Sequence, residues 1–298
     1  MKKTIPAATF ALFAAMIAFA QSMQEANALF QAQKWNDAAK AYEAITKADS
    51  SNGLAWFRLG LSLHSLGQYR KAIDAFAEAQ RLNFNAPGAM FRMGRAYAKM
   101  GQRDEAFEWL KKAVGAGFTA TPQIQLLNSD PDIASLREDG RFKEVMDLVE
   151  RVSKPCMYSE KARQFDFWIG EWDVQTAQGQ RAGTNKIERI EDGCIILENW
   201  TGAAGGTGKS LNFYDSAIRK WRQVWVDSFG NMSEFVGEFR DGAMRYEGET
   251  HMQGGGKILR RLTFFNLGAD RVRQFSERST DGGKTWTVGY DFTYIRKK

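Results

Sequence analysis

Histidine and cysteine are scarce in this chain, two of each among 298 residues, and both shortages exclude chemistry. His64 and His251 lie far apart in the sequence. They cannot form a histidine-rich zinc site, and two cysteines cannot form a thiolate one. A Ser-His-Asp triad would have to use His251, and no G-x-S-x-G elbow supplies the serine. No metal and no cofactor is expected. Long apolar runs are missing beyond the first twenty residues, so no later segment reads as a membrane span. A concentrated basic stripe is also missing. The net charge is +6, but residues 21–152 hold 17 basic against 16 acidic side chains and residues 153–298 hold 22 against 19. So diffuse an excess does not suit nucleic-acid binding.

The first twenty residues stand apart. Lys2 and Lys3 precede an apolar run from Ile5 to Ala20, and Ala18-Phe19-Ala20 offers small residues at a cleavage point. Residues 1–20 read as a bacterial secretory signal peptide, which predicts a periplasmic or secreted protein with no membrane span after cleavage. No cysteine adjoins the cleavage point, so a lipid anchor is not expected. Export permits disulfides, and the even pair Cys156 and Cys194 predicts one bridge, two free thiols being the alternative.

The helical half is written in a 34-residue period. WFRLG at 56–60 returns as MFRMG at 90–94, and Ala38, Ala72 and Ala106 keep the same spacing. Tyr42, Phe76 and Leu110 follow those alanines by four residues, and Ala26, Gly60 and Gly94 precede them by twelve. Small side chains thus fall where paired helices cross and large ones where gaps need filling. This period and the Trp56, Leu59, Gly60 pattern resemble the tetratricopeptide repeat family. The reading is an all-α repeat domain over 21–152, with residues 130–152 as a terminal amphipathic cap. In that family the first helix of each unit lines a concave groove. The resemblance therefore implies a protein or peptide partner held by Asn27, Phe57, His64, Phe91, Arg95 and Lys99, the alternative being a solvated face.

After a linker at 153–157 the apolar period changes to two. Short runs rich in Val, Ile, Thr, Phe, Tyr and Trp alternate with turn signals at Asp192-Gly193, Gly202 to Gly208, Asp241-Gly242, Gly254 to Gly256 and Asp281-Gly282-Gly283. About ten strands over 158–298 argue an all-β antiparallel barrel. Gly170-Glu171-Trp172 in FDFWIGEWDV resembles the calycins (lipocalins and fatty-acid-binding proteins), and FDFWIGEWDV with KWRQVWVD is similar to a bacterial lipocalin-like family of unknown function. The calycin resemblance implies that Trp172 closes one barrel end under a basic side chain, here Arg296 on the last strand.

Alternation places Trp221, Gln223, Trp225 and Asp227 on one face of 221–227. Glu198, Trp200, Tyr246, Arg273 and Tyr290 are assigned to the same interior. These residues predict a site for a small apolar or amphipathic molecule, although a register slip of one residue would turn any of them outward. A side-chain-filled barrel is the alternative. Glu198 and Asp227 are the candidates for catalysis if the barrel is instead an enzyme, an isomerase, cyclase or hydrolase using an interior carboxylate. Haem-binding calycins use a histidine on a late strand, and His251 is the sole candidate for that role.

Two local motifs are set aside. Residues 203–210 satisfy a relaxed phosphate-loop pattern, but SLNFY after Lys209 alternates like a strand where the chemistry needs a helix. Residues 279–286 match the Asp-box, a hairpin brace. The expectation is an exported scaffold, with repeats for protein interaction and a barrel for a small ligand.

Overall fold

A computed structural model describes residues 22–251 and 256–298. The proposed leader therefore lies outside the described residues. The chain divides into two compact units between Ser153 and Lys154.

Three helical hairpins build the first unit: α1 (22–31) with α2 (Trp35–Ala48), α3 (Gly53–Ser65) with α4 (Tyr69–Arg81), and α5 (Ala86–Lys99) with α6 (Arg103–Gly115). The repeat phase explains the packing. Ala38, Ala72 and Ala106 are fully buried, as are Tyr42, Phe76 and Leu110. A Cβ on Gly60 would lie 2.6 Å from the Phe76 ring; only hydrogen there lets α3 and α4 approach with an aromatic side chain between them. Beyond α6 come α7 (Thr121–Ser129), a 3-10 turn (Pro131–Leu136) and α8 (Gly140–Ser153). Phe142, Val145 and Val149 of α8 join the buried cluster of Leu110, Ala113 and Val114 on α6. This helix covers the apolar face that the last repeat would otherwise expose. Among the described residues no helix is long and apolar enough to cross a membrane.

The second unit opens with α9 (Pro155–Tyr158) and α10 (Glu160–Arg163), where a linker of a few residues is expected over 153–157. A disulfide between Cys156 and Cys194 fastens this segment within the barrel unit, with Cα atoms 4.9 Å apart. The second compact unit runs from Lys154 to Lys298.

Ten antiparallel strands close into a barrel in simple up-and-down order: β1 (Gly170–Thr176), β2 (Arg181–Ile190), β3 (Ile195–Gly202), β4 (Thr207–Asp215), β5 (Lys220–Asp227), β6 (Met232–Arg240), β7 (Ala243–His251), β8 (Lys257–Asn266), β9 (Arg271–Ser279) and β10 (Thr287–Arg296). Closure by the β1–β10 pair leaves no unpaired sheet edge. Thr207–Asp215 is a strand, so residues 203–210 are a hairpin turn running into β4. In the 279–286 brace, Ser279 and the Thr285 amide both donate to Asp281, and the Trp286 indole donates to the Gly283 carbonyl.

One barrel end is filled from within. Phe165 and Trp168, from the segment before β1, stack at 4.9 Å, and both pack on Phe264. Trp172 lies beside them and donates its indole N–H to the Trp168 carbonyl at 2.9 Å. The Arg296 guanidinium covers the Trp172 ring at 4.2 Å and donates to the Ile169 carbonyl at 3.0 Å. Gly170 adopts φ 139°, and a Cβ there would lie 2.1 Å from the same guanidinium. Both the backbone angle and the cation require glycine.

Candidate functional site

Above this aromatic plug the barrel encloses a cavity of about 670 Å³. Pleating sets its walls: alternate residues of every strand point inward. On β5 these are Trp221, Gln223, Trp225 and Asp227. Gln223, Trp225 and Asp227 line the cavity, together with Glu198 and Trp200 of β3 and Tyr290 of β10. Trp221 also faces inward but sits lower, in the aromatic core against Phe165. Tyr246 is fully buried in that same core and does not reach the cavity wall.

Arg273 corrects the interior assignment outright. Its neighbours Val272 and Gln274 are the buried, inward residues of β9. Arg273 faces out, forming a two-point ion pair with Asp291 at 2.8 Å on each arm and lying over the Phe265 and Phe275 rings. The inward arginine is Arg260 of β8, which lines the cavity.

The floor is a connected polar network. Glu198, 3% exposed, accepts from Ser210 Oγ at 2.6 Å and from Asn185 Nδ2 at 2.7 Å. Asn185 also donates to the Tyr294 hydroxyl, Tyr294 donates to Gln274 at 2.6 Å, and Gln274 donates to Tyr290 at 3.0 Å. Burial pushes the Glu198 carboxyl up to about 7, against the two hydrogen bonds that favour its ionised form. Burial likewise raises the Tyr290 and Tyr294 hydroxyls, and the Glu198 charge adds to it.

Asp227 is not a partner for Glu198 in acid–base work. It stands at the open end and accepts from the Phe229 and Asn231 amides at 3.0 Å each and from the Asn231 side chain. Its partial burial works the other way, but those Asn231 and amide bonds hold its carboxyl below the usual range. It is a turn cap. His251 is mostly exposed at the rim, 3.3 Å from Glu249, which leaves it unsuited to a buried haem. Among the described residues no three His, Cys, Asp or Glu side chains gather as for a metal ion.

Several cavity residues escaped the reading of alternation, among them Arg260, Ser233, Thr250, Gln274 and Phe292. On β8 the run ILRRLTFF is apolar on both faces, so alternation alone did not separate Arg260 from Arg261. Arg261 instead lies over Trp286, 3.9 Å from the ring centre.

The residues expected to line a groove on the repeat unit are arranged differently. Phe91 is fully buried and stacks on Phe118 at 4.5 Å, so it belongs to the core. Asn27 accepts from Tyr42 and Arg58, and Phe57 packs edge-on against Phe76. His64, Arg95 and Lys99 converge, but on the chain itself. Asp132 of the 3-10 turn takes His64 at 2.8 Å, Arg95 and, at 3.6 Å, Lys99, while Asp130 takes Arg95 at 3.0 Å. Burial lowers the His64 pKa, against the bond to Asp132, which raises it. Asp132 remains ionised because its bonds to His64 and the Arg95 charge outweigh its own desolvation.

Comparisons with known proteins bear on the repeat unit. Residues 23–88 and 87–116 match models of the tetratricopeptide repeat. A probable UDP-N-acetylglucosamine–peptide N-acetylglucosaminyltransferase, SPINDLY of Arabidopsis thaliana, is 31% identical over 106 residues; the match covers 36% of this chain and 12% of that protein's length. Among solved structures, the Yersinia enterocolitica type III secretion chaperone SycD, in complex with a peptide of the translocator YopD, is 20% identical. That match covers 46% of this chain and 92% of SycD, with a TM-score of 0.32. PcrH in complex with the chaperone-binding region of PopD is 20% identical, covering 51% and 97%, with a TM-score of 0.32. MamA is 17% identical, covering 51% and 87%, with a TM-score of 0.39. The family-model matches and the helical period agree: residues 23–116 of this chain are tetratricopeptide repeats, and a closed ten-stranded antiparallel barrel follows them.

Proposed function

We propose that this is an exported bacterial protein in which the tetratricopeptide repeats serve as a protein-interaction scaffold and the barrel holds a small amphipathic molecule. The observation that carries the ligand reading is the cavity itself. About 670 Å³ is bounded on one side by Trp200, Trp225, Tyr290 and Phe292 and on the other by polar side chains that include Glu198, Gln223, Arg260 and Gln274, a concave site of the kind that holds and orients a small molecule. The calycin-like G-x-W at Gly170 to Trp172 is in keeping with such a use. Partner binding is assigned to the repeats, where a peptide seeking His64, Arg95 and Lys99 must compete with Asp132.

A second reading is an enzyme with Glu198 as its single acid–base group, favoured by a carboxyl that titrates near neutrality inside a cavity. Native mass spectrometry of freshly purified protein, repeated on Glu198→Gln, separates the two. A one-to-one small-molecule adduct that persists unchanged in the variant supports a binding protein. An adduct converted to a second mass by the wild type alone supports the enzyme. A bare protein mass under conditions gentle enough to keep the fold would count against both. N-terminal sequencing of protein recovered outside the cytoplasm should begin at Gln21, and an intact Met1 there would refute the leader.

A further inference from the structure

The filled end of the barrel depends on a segment with little structure of its own. Between Lys154 and β1 the chain forms only α9, α10 and a 3-10 turn at Asp166–Trp168. α9 buries none of its residues and α10 buries only Ala162. Helices this short are not stable alone, yet the same segment carries Phe165 and Trp168, the plug. It is held by ties that converge on the turn between β2 and β3. Cys156 is bonded to Cys194, and Arg163 donates to the Gly193 carbonyl. Met157 packs against Gly193 so closely that a Cβ there would lie 2.4 Å from its sulfur. Arg189, near the end of β2, pairs with Asp166 at 2.6 Å.

The turn that receives these ties is strained. Glu191, Asp192 and Gly193 stand in succession at φ 49°, 48° and 83°. Glycine takes left-handed backbone freely, but the other two do not, and such conformations persist only where the surroundings impose them. Both cysteines are half-buried, within reach of solvent. The sequence contains no third cysteine with which the bridge could exchange. A disulfide that is both accessible and closed on a strained turn is of the kind that reduction opens readily.

We propose that the Cys156–Cys194 bridge is a redox latch on the plug. A dithiol reductant attacks one sulfur through its thiolate, and a mixed disulfide forms as the bond between the two cysteines breaks. The second thiol of the reductant then displaces the bound cysteine. Two cysteine thiols and the reductant's own disulfide remain, a transfer of two electrons and two protons. Once freed, the Glu191–Gly193 turn relaxes out of the left-handed region and the segment from Lys154 to Trp168 loosens from the barrel end. The change reaches the floor of the cavity, because Trp168 packs on Tyr294 with ring centres 6.1 Å apart and the Tyr294 hydroxyl belongs to the polar network there. The latch itself does not depend on what the cavity holds.

Hydrogen exchange read by mass spectrometry tests the latch, on the full chain with and without dithiothreitol and with no denaturant. In reduced protein, peptides covering 154–169 and 191–195 should exchange about tenfold faster or more, while those from β5 to β8 stay protected. The double variant Cys156→Ser, Cys194→Ser should show the fast exchange without reductant and no response to it. Glu191→Gly removes one unfavourable left-handed residue from the bridged state. It should shift the thiol–disulfide equilibrium, measured in a dithiothreitol redox buffer, several-fold toward the bridge. Exchange unchanged by reduction overturns the latch, because the segment is then held without the bridge. Faster exchange spread evenly over all ten strands also overturns it, because the bridge then staples the whole barrel. An equilibrium that Glu191→Gly leaves in place overturns the role given to the strained turn.

Discussion

The two ends of the barrel are built on the same alternation and come to opposite results. At one end the inward residues Trp172, Trp221, Phe264 and Tyr294 meet Phe165 and Trp168, delivered by the chain before β1, and the space is filled. At the other end no segment enters among the described residues, and Trp200, Trp225 and Phe292 line a cavity, Trp200 and Phe292 stacked on one another along its wall. Aromatic content does not distinguish a core from a pocket. What distinguishes them is whether the chain provides a plug. Stability should therefore concentrate at the filled end and recognition at the open one.

The severest test of that division is Trp172→Ala. Truncating a buried tryptophan costs about 3–5 kcal/mol, and losing the cation–π contact with Arg296 adds up to about 2. Denaturation followed by near-UV circular dichroism should show the barrel lost or severely weakened. The far-UV helical signal should persist, because the repeats have separate buried clusters. A barrel transition within about 1 kcal/mol of wild type would dissolve the contrast. Next comes the Cys156–Cys194 bridge, which closes a sequence separation of 38 residues at the filled end. Chain-entropy reasoning gives about 4 kcal/mol for such a loop. Reduction should lower the barrel's urea midpoint markedly, and denatured but unreduced protein should show no titratable thiol.

Glu198 links the two ends through pH. Its folded pKa of about 7 stands above the ordinary 4.5, so the folded state holds a proton that the unfolded state releases. The associated stability is fully present below pH 4.5, declines as pH rises, and is gone once pH passes the folded value, a span of roughly 3 kcal/mol. Measured between pH 4.5 and 8, the stability of wild type relative to Glu198→Gln should fall steadily; a flat difference would mean that the carboxyl is already ionised in the fold. The smallest effect is expected from Trp225→Ala at the open end. Half-buried and unplugged, it should cost about 1–2 kcal/mol while loosening any small molecule held in the cavity, and a loss equal to that of Trp172→Ala would show that the open end is core after all.

The helical unit was legible because its repeat phase is redundant: the same small and large positions occur at 38, 72 and 106 and again at 42, 76 and 110. Ten strands were legible from the turn spacing. The lining of the cavity was only half legible. Residues 221–227 alternate cleanly, so Gln223, Trp225 and Asp227 could be read to the inner face. On β9 the polar pattern RVRQFSER offers no clean alternation, and Arg273 was assigned to the wrong side. Depth along the barrel was not legible at all. Trp221 and Trp225 differ by four residues on one face, yet only the plug from Phe165 and Trp168 decides that the first is core and the second lines a cavity.

The position of Asp132 has a further consequence for the repeats. It meets His64, Arg95 and Lys99 as part of their own chain, so its effective concentration at that cluster is that of a tethered group, on the order of millimolar or above. A free carboxylate, or a peptide offering only acidic side chains, meets this face at a handicap set by that tether. A partner of the kind proposed for the repeats would have to contribute contacts that Asp132 does not make, so shape and apolar fit would weigh more than charge in what this cluster accepts.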